Sequence, residues 1–144
     1  MKQIQIINGP NLNLIGKREP EIYGKMAFED YFEGLRKKFP DVSIHHFQSN
    51  HEGDLIDKIH EIGFDYHGIV LNGGALTHYS YALADALKAV PVPAVEVHIS
   101  DIYAREDFRK NSVTGPNCVE IISGQGMDGY EKAVRKLLDL NFTP

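Results

Sequence analysis

Five short apolar runs alternate along the chain with longer segments in which apolar residues recur at helical spacing, and this alternation restricts the possible folds. The runs occupy residues 4–7, 42–47, 67–71, 93–98 and 118–122. Short apolar runs bounded by Gly, Pro or Asn are typical of buried strands. Strands that alternate with helices predict a parallel sheet with right-handed crossovers and helices on both faces.

The length of the chain favours one such sheet. We expect its 144 residues to form a single catalytic domain, residues 1–144, with a flavodoxin-like α/β fold. In that fold the loops after the first, third and fourth strands meet at the carboxyl edge of the sheet, where ligands bind. Polar residues in these three loops are therefore the first candidates for a functional site.

Helical segments are predicted between the runs. Apolar residues at positions 28, 31, 32, 35 and 39 indicate an amphipathic helix that ends before Pro40. Ser49 and Glu52 have the spacing of a capping box for the next helix. Further helices are predicted over residues 77–90, 101–109 and 128–140.

Composition and charge exclude several classes of partner. The net charge is −5 and the longest basic run is only three residues, Arg36-Lys37-Lys38, which argues against nucleic acid or an anionic membrane as partner. The single cysteine, Cys118, cannot form an internal disulfide and is predicted to be a core residue in a reducing compartment. With no signal peptide and no apolar run of spanning length recognised, we expect a cytoplasmic protein.

The segment from Asn8 to Gly24 is punctuated by Gly and Pro, so it is predicted to be a loop rather than a helix. It carries Asn11, Arg18 and Tyr23. A phenol ionises near pH 10, and a guanidinium within about 4–6 Å favours its phenolate, so Arg18 and Tyr23 could form a base. On these residues alone, a solvated loop with a packed tyrosine and a surface ion pair explains the segment better.

The fourth strand ends with Glu96 and His98, which project on the same face because they are two residues apart. A carboxylate bonded to one imidazole nitrogen leaves the other nitrogen free, and this prepares a histidine as general acid or base. An ordinary buried His–Glu hydrogen bond is the alternative, and it is slightly favoured when the pair is considered alone.

Two other loops offer anion-binding groups. Asn72-Gly73-Gly74 leads into Thr77 and His78 at a predicted helix start, where backbone N–H groups favour an anion. A tight turn with Thr77 as helix cap is an equally good interpretation. After the fourth strand, Ile99 and Ser100 supply two backbone donors and a hydroxyl. Arg105 and Arg109 are four apart on the predicted charged helix, on one face, although a solvated helix is the usual explanation of such a pair.

Two motifs are misleading. Residues 124–129 fit G-x-G-x-x-G, but a dinucleotide site needs this motif after the first strand, with an acidic residue about 20 positions later. We interpret it as a helix-start turn. The seven histidines form no metal-binding spacing, and His45 and His46 are adjacent on a strand and point apart, so we expect no metal.

Four blocks of sequence together resemble the type II 3-dehydroquinate dehydratase family. They are NGPNLNLIGKREPEIYG, QSNHEGDLIDKIH, NGGALTH and EVHISDIYAREDFR. The resemblance covers nearly the whole chain, and it implies a flavodoxin-like fold and a homododecamer built from trimers. It also implies a lyase of the shikimate pathway for aromatic amino acids, which converts 3-dehydroquinate to 3-dehydroshikimate. The implied reaction is an anti elimination of water through an enolate, without a cofactor.

The resemblance also implies catalytic roles. Tyr23 corresponds to the base that removes a proton from C2 of the substrate, and Arg18 to the residue that sustains its phenolate. Asn11 corresponds to a residue that holds a water or the enolate oxygen. His98, oriented by Glu96, corresponds to the acid that protonates the departing C1 hydroxyl.

Seven further residues match substrate-binding positions of the family. They are Asn72, His78, Asp85, Ile99, Ser100, Arg105 and Arg109. Arg105 matches the arginine of a mobile lid, and Asp85 matches a residue that reaches the site of a neighbouring subunit. The chain departs from the family at Gly73, Leu76 and Asp101, where Pro, an aromatic residue and Asn are usual. Ala27 also stands where a capping Thr is frequent.

Two other classes of function remain as alternatives. One is a flavodoxin-like module that binds a nucleotide or phosphate without catalysis, and it would have no need of Tyr23 or His98. The other is an interaction protein whose apolar faces only assemble an oligomer, in which case alanine would be tolerated at the crevice residues.

Overall fold

The computed structural model of the chain describes residues 1–144. Its centre is a sheet of five parallel strands in the order β2-β1-β3-β4-β5. The strands are β1 (Lys2–Asn8), β2 (Val42–Gln48), β3 (Gly68–Asn72), β4 (Ala94–His98) and β5 (Glu120–Ser123). The predicted flavodoxin-like α/β fold is confirmed, with the strand order reversing between β1 and β3 as that fold requires.

Helices cover both faces of the sheet. They are α1 (Pro20–Tyr23), α2 (Phe28–Lys38), α3 (Glu52–Ile62), α4 (Tyr81–Ala89) and α5 (Asp128–Leu140). The helices predicted from apolar periodicity after the first, second and fifth strands are confirmed, and α5 has the predicted bounds. None of the helices combines the length and the apolar composition needed to cross a membrane.

Two hydrophobic cores lie on opposite faces of the sheet, and alternate residues of β1 separate them. Ile4 and Ile6 belong to the core shared with α2 and α5, whereas Ile7 belongs to the core shared with α3 and α4. The division follows from the two-residue period of a strand. Tyr130 of α5 and Phe28 of α2 are among the largest fully buried or nearly buried side chains, with ring centroids 5.0 Å apart. The sheet is therefore held from both sides.

The helix predicted to begin at Thr77 begins later. A 3-10 turn spans Gly74–His78, and α4 follows with Ser80 as its cap, because the Leu83 N–H donates to Ser80 Oγ at 3.0 Å. The carbonyl of Thr77 accepts the N–H of Val113 at 2.8 Å, so it is not available for a helical bond. The prediction of Thr77 as the cap was wrong, because a distant loop takes its carbonyl.

The charged helix predicted over residues 101–109 is also absent. Two 3-10 turns, Ile102–Ala104 and Asp107–Lys110, take its place, and Arg105 is extended between them with φ −103 and ψ −157. The Asp101 carboxylate accepts the Tyr103 N–H at 3.0 Å and stabilises a separate first turn. Arg105 and Arg109 therefore do not share a helix face, and that prediction was wrong.

Two smaller predictions need correction. Ser49 and Glu52 form no capping box, because Ser49 Oγ donates to Asp54 at 2.7 Å and Glu52 accepts from Ser80 Oγ at 2.5 Å. The segment over residues 8–24 is not wholly irregular, since it contains a 3-10 turn, Leu12–Leu14, and the single turn of α1. Other side-chain partners explain the first error, since Ser49 bonds five residues along the chain and Glu52 bonds 28 residues away.

Cys118 precedes β5 instead of lying in it, and it is half-buried rather than a full member of the core. It packs against the edge of the core that contains α3 and α4. Burial raises the pKa of its thiol to about 12, so the thiol is neutral at ordinary pH.

Candidate active site

The first and third strand-end loops touch at the carboxyl edge of the sheet. Gly9 N–H donates to the carbonyl of Asn72 at 2.7 Å, and a Cβ on Gly9 would lie 2.5 Å from the carbonyl oxygen of Gly73. Gly74 has φ +59, and a Cβ there would lie 3.0 Å from the carbonyl oxygen of Pro10. Only glycine allows this close approach of the two backbones. The glycines therefore close one wall of a crevice, which sequence analysis placed at this edge.

Six of the twelve predicted site residues line this crevice. Its polar lining includes Tyr23, Asn72, His98, Ser100 and Arg105, and Ile99 contributes an apolar surface. The crevice has a volume of about 30 Å³. Pockets that hold small molecules have volumes of about 300 Å³ or more, so this enclosed part is too small for a metabolite by itself. An adjoining depression of about 430 Å³ shares Ile99, Ser100 and Arg105 with it.

His98 is held from behind by Glu96. The imidazole Nε2 and Glu96 Oε2 are 2.8 Å apart, and both side chains are almost fully buried. The same carboxylate accepts hydrogen bonds from Ser112 Oγ, at 2.8 Å, and from Thr114 Oγ1. The bond to Glu96 leaves Nδ1 as the free nitrogen of His98. The pairing predicted from the two-residue spacing is confirmed.

Burial alone would raise the pKa of the Glu96 carboxyl. Hydrogen bonds from His98, Thr114 and Ser112, together with the charge of His98, outweigh burial and hold this pKa below its usual value. Glu96 is therefore an anion throughout the neutral range. An anion at this position stabilises His98 when both ring nitrogens carry protons.

Two arginines contact Tyr23, in different ways. Arg105 Nη1 donates to the Tyr23 hydroxyl at 2.9 Å, whereas the guanidinium of Arg18 lies over the ring, 5.0 Å from its centroid. Arg18 Nη2 is 2.6 Å from Glu19 Oε2. Sequence analysis placed Arg18 beside the phenol, and the structure does so, but the direct partner of the hydroxyl is Arg105.

His78 stacks beside His98, with ring centroids 6.3 Å apart and an interplanar angle of 23°. Its Nδ1 lies 2.8 Å from the carbonyl oxygen of Asn111, so Nδ1 carries the proton and Nε2 is left as an acceptor. Burial lowers the pKa of His78 more than the Asn111 carbonyl raises it. His78 is therefore a neutral hydrogen-bonding group beside the acid candidate.

Ile99 and Ser100 follow β4 directly and line the crevice. Neither backbone N–H donates a hydrogen bond within the chain. The Ile99 carbonyl accepts the N–H of Gly126, and the Ser100 carbonyl accepts the N–H of Gly124 and the hydroxyl of Ser123. Ser100 Oγ lies 3.4 Å from Arg105 Nη1. Two free backbone donors beside an arginine can hold a carboxylate, as the sequence suggested.

Asn11 and Asn72 hold their places in different ways. Asn11 has a left-handed backbone, φ 70, and its N–H donates to Asn50 Oδ1 at 3.0 Å, which leaves its exposed carboxamide free. Asn72 is buried, and its carboxamide is bonded to Tyr130 and to the N–H of Gly74. Asn72 ends β3 and lines the crevice, whereas Asn11 lies in the loop after β1, next to Leu12, which lines it.

Arg109 and Asp85 are not brought into the crevice. Arg109 bonds to the carboxylate of Glu106, and its guanidinium lies over the ring of Phe108 at 4.9 Å. Asp85 is exposed on α4. Neither forms a hydrogen bond or ion pair with the other candidate residues within this single chain, although the charge of Arg109 adds to the lowering of the His78 pKa by burial.

Sequence reasoning missed several residues that support the site. Ser112 and Thr114 bond Glu96, and Tyr130 and Asn8 lie behind Asn72. The two hydroxyl residues share the two-residue spacing of an extended segment, which is a weak signal. Tyr130 and Asn8 gave no signal, because they look like ordinary helix and strand residues.

Comparison with known proteins gives one consistent result. The chain matches the family model described as Dehydroquinase class II over residues 2–138. It is 51% identical over 143 residues to the 3-dehydroquinate dehydratase of Caldicellulosiruptor saccharolyticus, a match that covers 97% of this chain and 99% of that protein. The 3-dehydroquinate dehydratase of Bacillus subtilis is 50% identical over 140 residues, covering 96% and 95%.

Solved structures agree with the sequences. The crystal structure of type II dehydroquinase from Butyrivibrio crossotus superposes with a TM-score of 0.92 at 46% identity, and covers 95% of this chain and 97% of that one. A 3-dehydroquinate dehydratase-like protein from Bifidobacterium longum superposes less closely, with a TM-score of 0.69 at 28% identity. The similarity therefore extends over both the sheet and the loops around the crevice.

Proposed function

Because the chain belongs to the class II dehydroquinase family, we propose that it is a hydro-lyase that converts 3-dehydroquinate to 3-dehydroshikimate in the shikimate pathway. The roles of base and acid are assigned from one observation. Tyr23 and His98 line the same crevice, and Glu96 holds His98 from behind at 2.8 Å. An elimination of water needs one group to take a proton and another to give one, and these two side chains fit those tasks.

The base acts first. Tyr23, as phenolate, takes the proton from C2, and the electron pair left on C2 moves into the C2–C3 bond as the C3 carbonyl becomes an enolate. The cations of Arg18 and Arg105 stabilise the phenolate, since one lies over the ring and the other contacts the oxygen. Asn11 holds the enolate oxygen, directly or through a water.

The acid completes the elimination. The enolate returns to a carbonyl, a C1–C2 double bond forms, and the C1–O bond breaks. His98 donates the proton from Nδ1 to the departing hydroxyl, which leaves as water. Glu96 stabilises the doubly protonated imidazole before this step, and Ser112 and Thr114 keep the carboxylate in place. The number of protons on the enzyme is unchanged after both steps, because Tyr23 gains one proton from C2 and His98 gives one to the leaving hydroxyl.

Substrate binding falls to the remaining residues. The N–H groups of Ile99 and Ser100 bind the substrate carboxylate, and Arg105 leaves its bond with Tyr23 to cover that anion. Asn72 and His78 hold ring hydroxyls. The movement of Arg105 supplies the room that the crevice lacks, and no cofactor enters the proposed reaction.

Oligomerisation is the second part of the proposal. We propose a cytoplasmic homododecamer of four trimers, in which Asp85 acts at a subunit boundary and Arg109 binds the substrate. Asp85 is exposed on α4 and is not among the residues that line the crevice of its own chain. In a trimer it would reach the substrate-binding groups of the neighbouring chain.

The proposed reaction is tested by ultraviolet absorbance of the conjugated enone product after the purified protein is mixed with 3-dehydroquinate. We expect absorbance to grow with the wild-type chain and to stay flat with Tyr23→Phe. A wild-type sample that gives no enone, or that only binds a nucleotide, would contradict the proposed function.

The composite site is tested by complementation. Tyr23→Phe and Asp85→Ala chains are unfolded, mixed and refolded, and their activity is compared with each variant refolded alone. Mixed trimers contain sites with an intact Tyr23 from one chain and an intact Asp85 from its neighbour, so we expect activity to recover. If mixed oligomers form and remain as inactive as the separate variants, Asp85 acts within its own chain.

A further inference from the structure

A chain of buried hydrogen bonds lies behind the crevice and ends at Asn72. Asn72 Nδ2 donates to the Tyr130 hydroxyl at 3.0 Å, and that hydroxyl donates to Asn8 Oδ1 at 2.8 Å. Asn8 Nδ2 lies 3.3 Å from His46 Nε2. Tyr130 and Asn8 are fully buried, and Asn72 is nearly so. Nothing in the proposed reaction uses Tyr130 or Asn8 directly.

The number of donors and acceptors fixes how these groups are oriented. A tyrosine hydroxyl has one proton, and a carboxamide nitrogen can only donate. The Tyr130 oxygen therefore accepts from Asn72, and its proton is directed to Asn8 Oδ1. At the other end, Asn72 Oδ1 accepts the N–H of Gly74 at 3.2 Å. Rotating the Asn72 carboxamide by 180° would set two donors against each other at Gly74.

One N–H of the Asn72 carboxamide remains free for a ligand. The carboxamide nitrogen has two protons, and Tyr130 accepts one of them. Asn72 borders the crevice together with Tyr23 and His98, so its second N–H is the donor that remains there. With the opposite orientation the carboxamide would present an oxygen, which cannot donate to a substrate hydroxyl oxygen.

We propose that Tyr130 is a positioning residue of the enzyme, which holds the Asn72 carboxamide so that an N–H faces the substrate. This inference rests on the proposed function of the crevice. Tyr130 itself touches no substrate and acts through Asn72. Because Asn72 is proposed to bind the substrate equally in the ground state and the transition state, its disorientation weakens binding more than it slows the chemical steps.

The primary test is Tyr130→Phe, with Tyr31→Phe as a matched control. Tyr31 belongs to the same aromatic cluster, with its ring centroid 6.1 Å from that of Tyr130, but its hydroxyl forms no hydrogen bond with Asn72 or Asn8. We expect Tyr130→Phe to raise KM for 3-dehydroquinate about tenfold and to leave kcat within about twofold, which corresponds to one ordinary hydrogen bond. Tyr31→Phe should change neither constant.

A second background separates positioning from general damage to the fold. In an Asn72→Ala enzyme, Tyr130 has no carboxamide to hold, so adding Tyr130→Phe should leave KM unchanged within about twofold. A further tenfold rise in that background would overturn the inference. A merely structural effect would lower the fraction of active enzyme, which reduces kcat at constant KM, and that result would also overturn it.

Asn8→Ala provides an independent variant if Tyr130→Phe does not fold. It removes the acceptor that directs the Tyr130 proton away from Asn72, so KM should rise in the wild-type background and not in Asn72→Ala. An unchanged KM in the wild-type background would contradict the inference. Failure of the proposed function is recognised separately, because the wild-type chain would then give no enone.

Discussion

The two sides of the crevice that handle protons are held very differently. On the acid side, all five residues of β4 are buried, and the Glu96 carboxylate has three side-chain partners. On the base side, the lid segment (residues 17–24) contains α1, a single turn with no buried residue. Glu19 precedes that turn with a left-handed backbone, φ 37, which few residues other than glycine adopt.

The difference suggests a division between a prebuilt acid and a base that is completed by the ligand. His98 needs no rearrangement, since its partner lies within the sheet. Tyr23 is bonded to Arg105, which is proposed to move onto the substrate carboxylate, and the side chain of Arg18 is 34% exposed. We infer that binding closes the lid segment, excludes water and places the base.

The largest effect is expected at the base. Tyr23→Phe should lower kcat by about 10³-fold, because a general base contributes about 10²–10⁴ to the rate. Stability should hardly change, because α1 contributes no buried residue. The matched control is Tyr66→Phe, which lies at the opposite end of the sheet, where the ring packs on His45. Rate and unfolding midpoint are measured for both. A large loss of stability in Tyr23→Phe would mean that the lid segment is part of the core structure.

The next largest effect combines rate and stability and is expected at Glu96. Glu96→Gln should lower kcat by about 10²-fold, because the imidazole loses its anion. It should also lower the free energy of unfolding by about 1–3 kcal/mol at neutral pH, because buried donors lose a charged acceptor. Urea unfolding and steady-state kinetics measure the two quantities. A rate loss with unchanged stability would show that the acid side is not held by this carboxylate.

The stability difference should depend on pH with a definite sign. The folded-state pKa of Glu96 is lowered, so the ionised carboxyl stabilises the folded state above the ordinary glutamate pKa. This contribution is lost as the pH falls through the lowered pKa. The difference in free energy of unfolding between wild type and Glu96→Gln should therefore become smaller at acid pH. A difference that grows at acid pH would contradict a lowered pKa for Glu96.

The smallest effect is expected at Glu19, which is the lid-segment counterpart of Glu96. The hydrogen bond from Arg18 lowers the pKa of Glu19 more than desolvation raises it, but this carboxylate is exposed. Glu19→Gln should change kcat/KM by less than about fivefold and leave the unfolding midpoint unaltered. Kinetics and thermal melting check this result. A stability loss as large as that of Glu96→Gln would remove the distinction between the two sides.

The same distinction explains which features the sequence could predict. Strands and amphipathic helices follow from apolar periodicity, which is a local property. The sequence predicted α2 and α5 with nearly correct bounds and α3 without its correct cap. Glu96 and His98 were paired correctly because a strand fixes the direction of residues two apart. These features belong mainly to the sheet and to the acid side.

The errors lie where partners are distant in sequence. Thr77 could not be recognised as a turn residue, because its carbonyl is taken by Val113. The helix predicted over residues 101–109 has the composition of a helix, yet Arg105 is extended and bonds to Tyr23, which is 82 residues away. Tyr130 reaches Asn8 across 122 residues. Periodicity has no information about such contacts, so the support of the site had to be read from the structure.

Amide hydrogen exchange distinguishes an acid side that is prebuilt from a base side that ligand binding completes. Exchange is followed in the free enzyme and in the enzyme saturated with the equilibrium mixture of 3-dehydroquinate and 3-dehydroshikimate. We expect residues 17–24 to exchange rapidly in the free enzyme and to become protected with ligand, whereas residues 94–98 stay protected in both states. Equal protection of residues 17–24 without ligand, or no protection with it, would contradict the proposal that binding completes the base side.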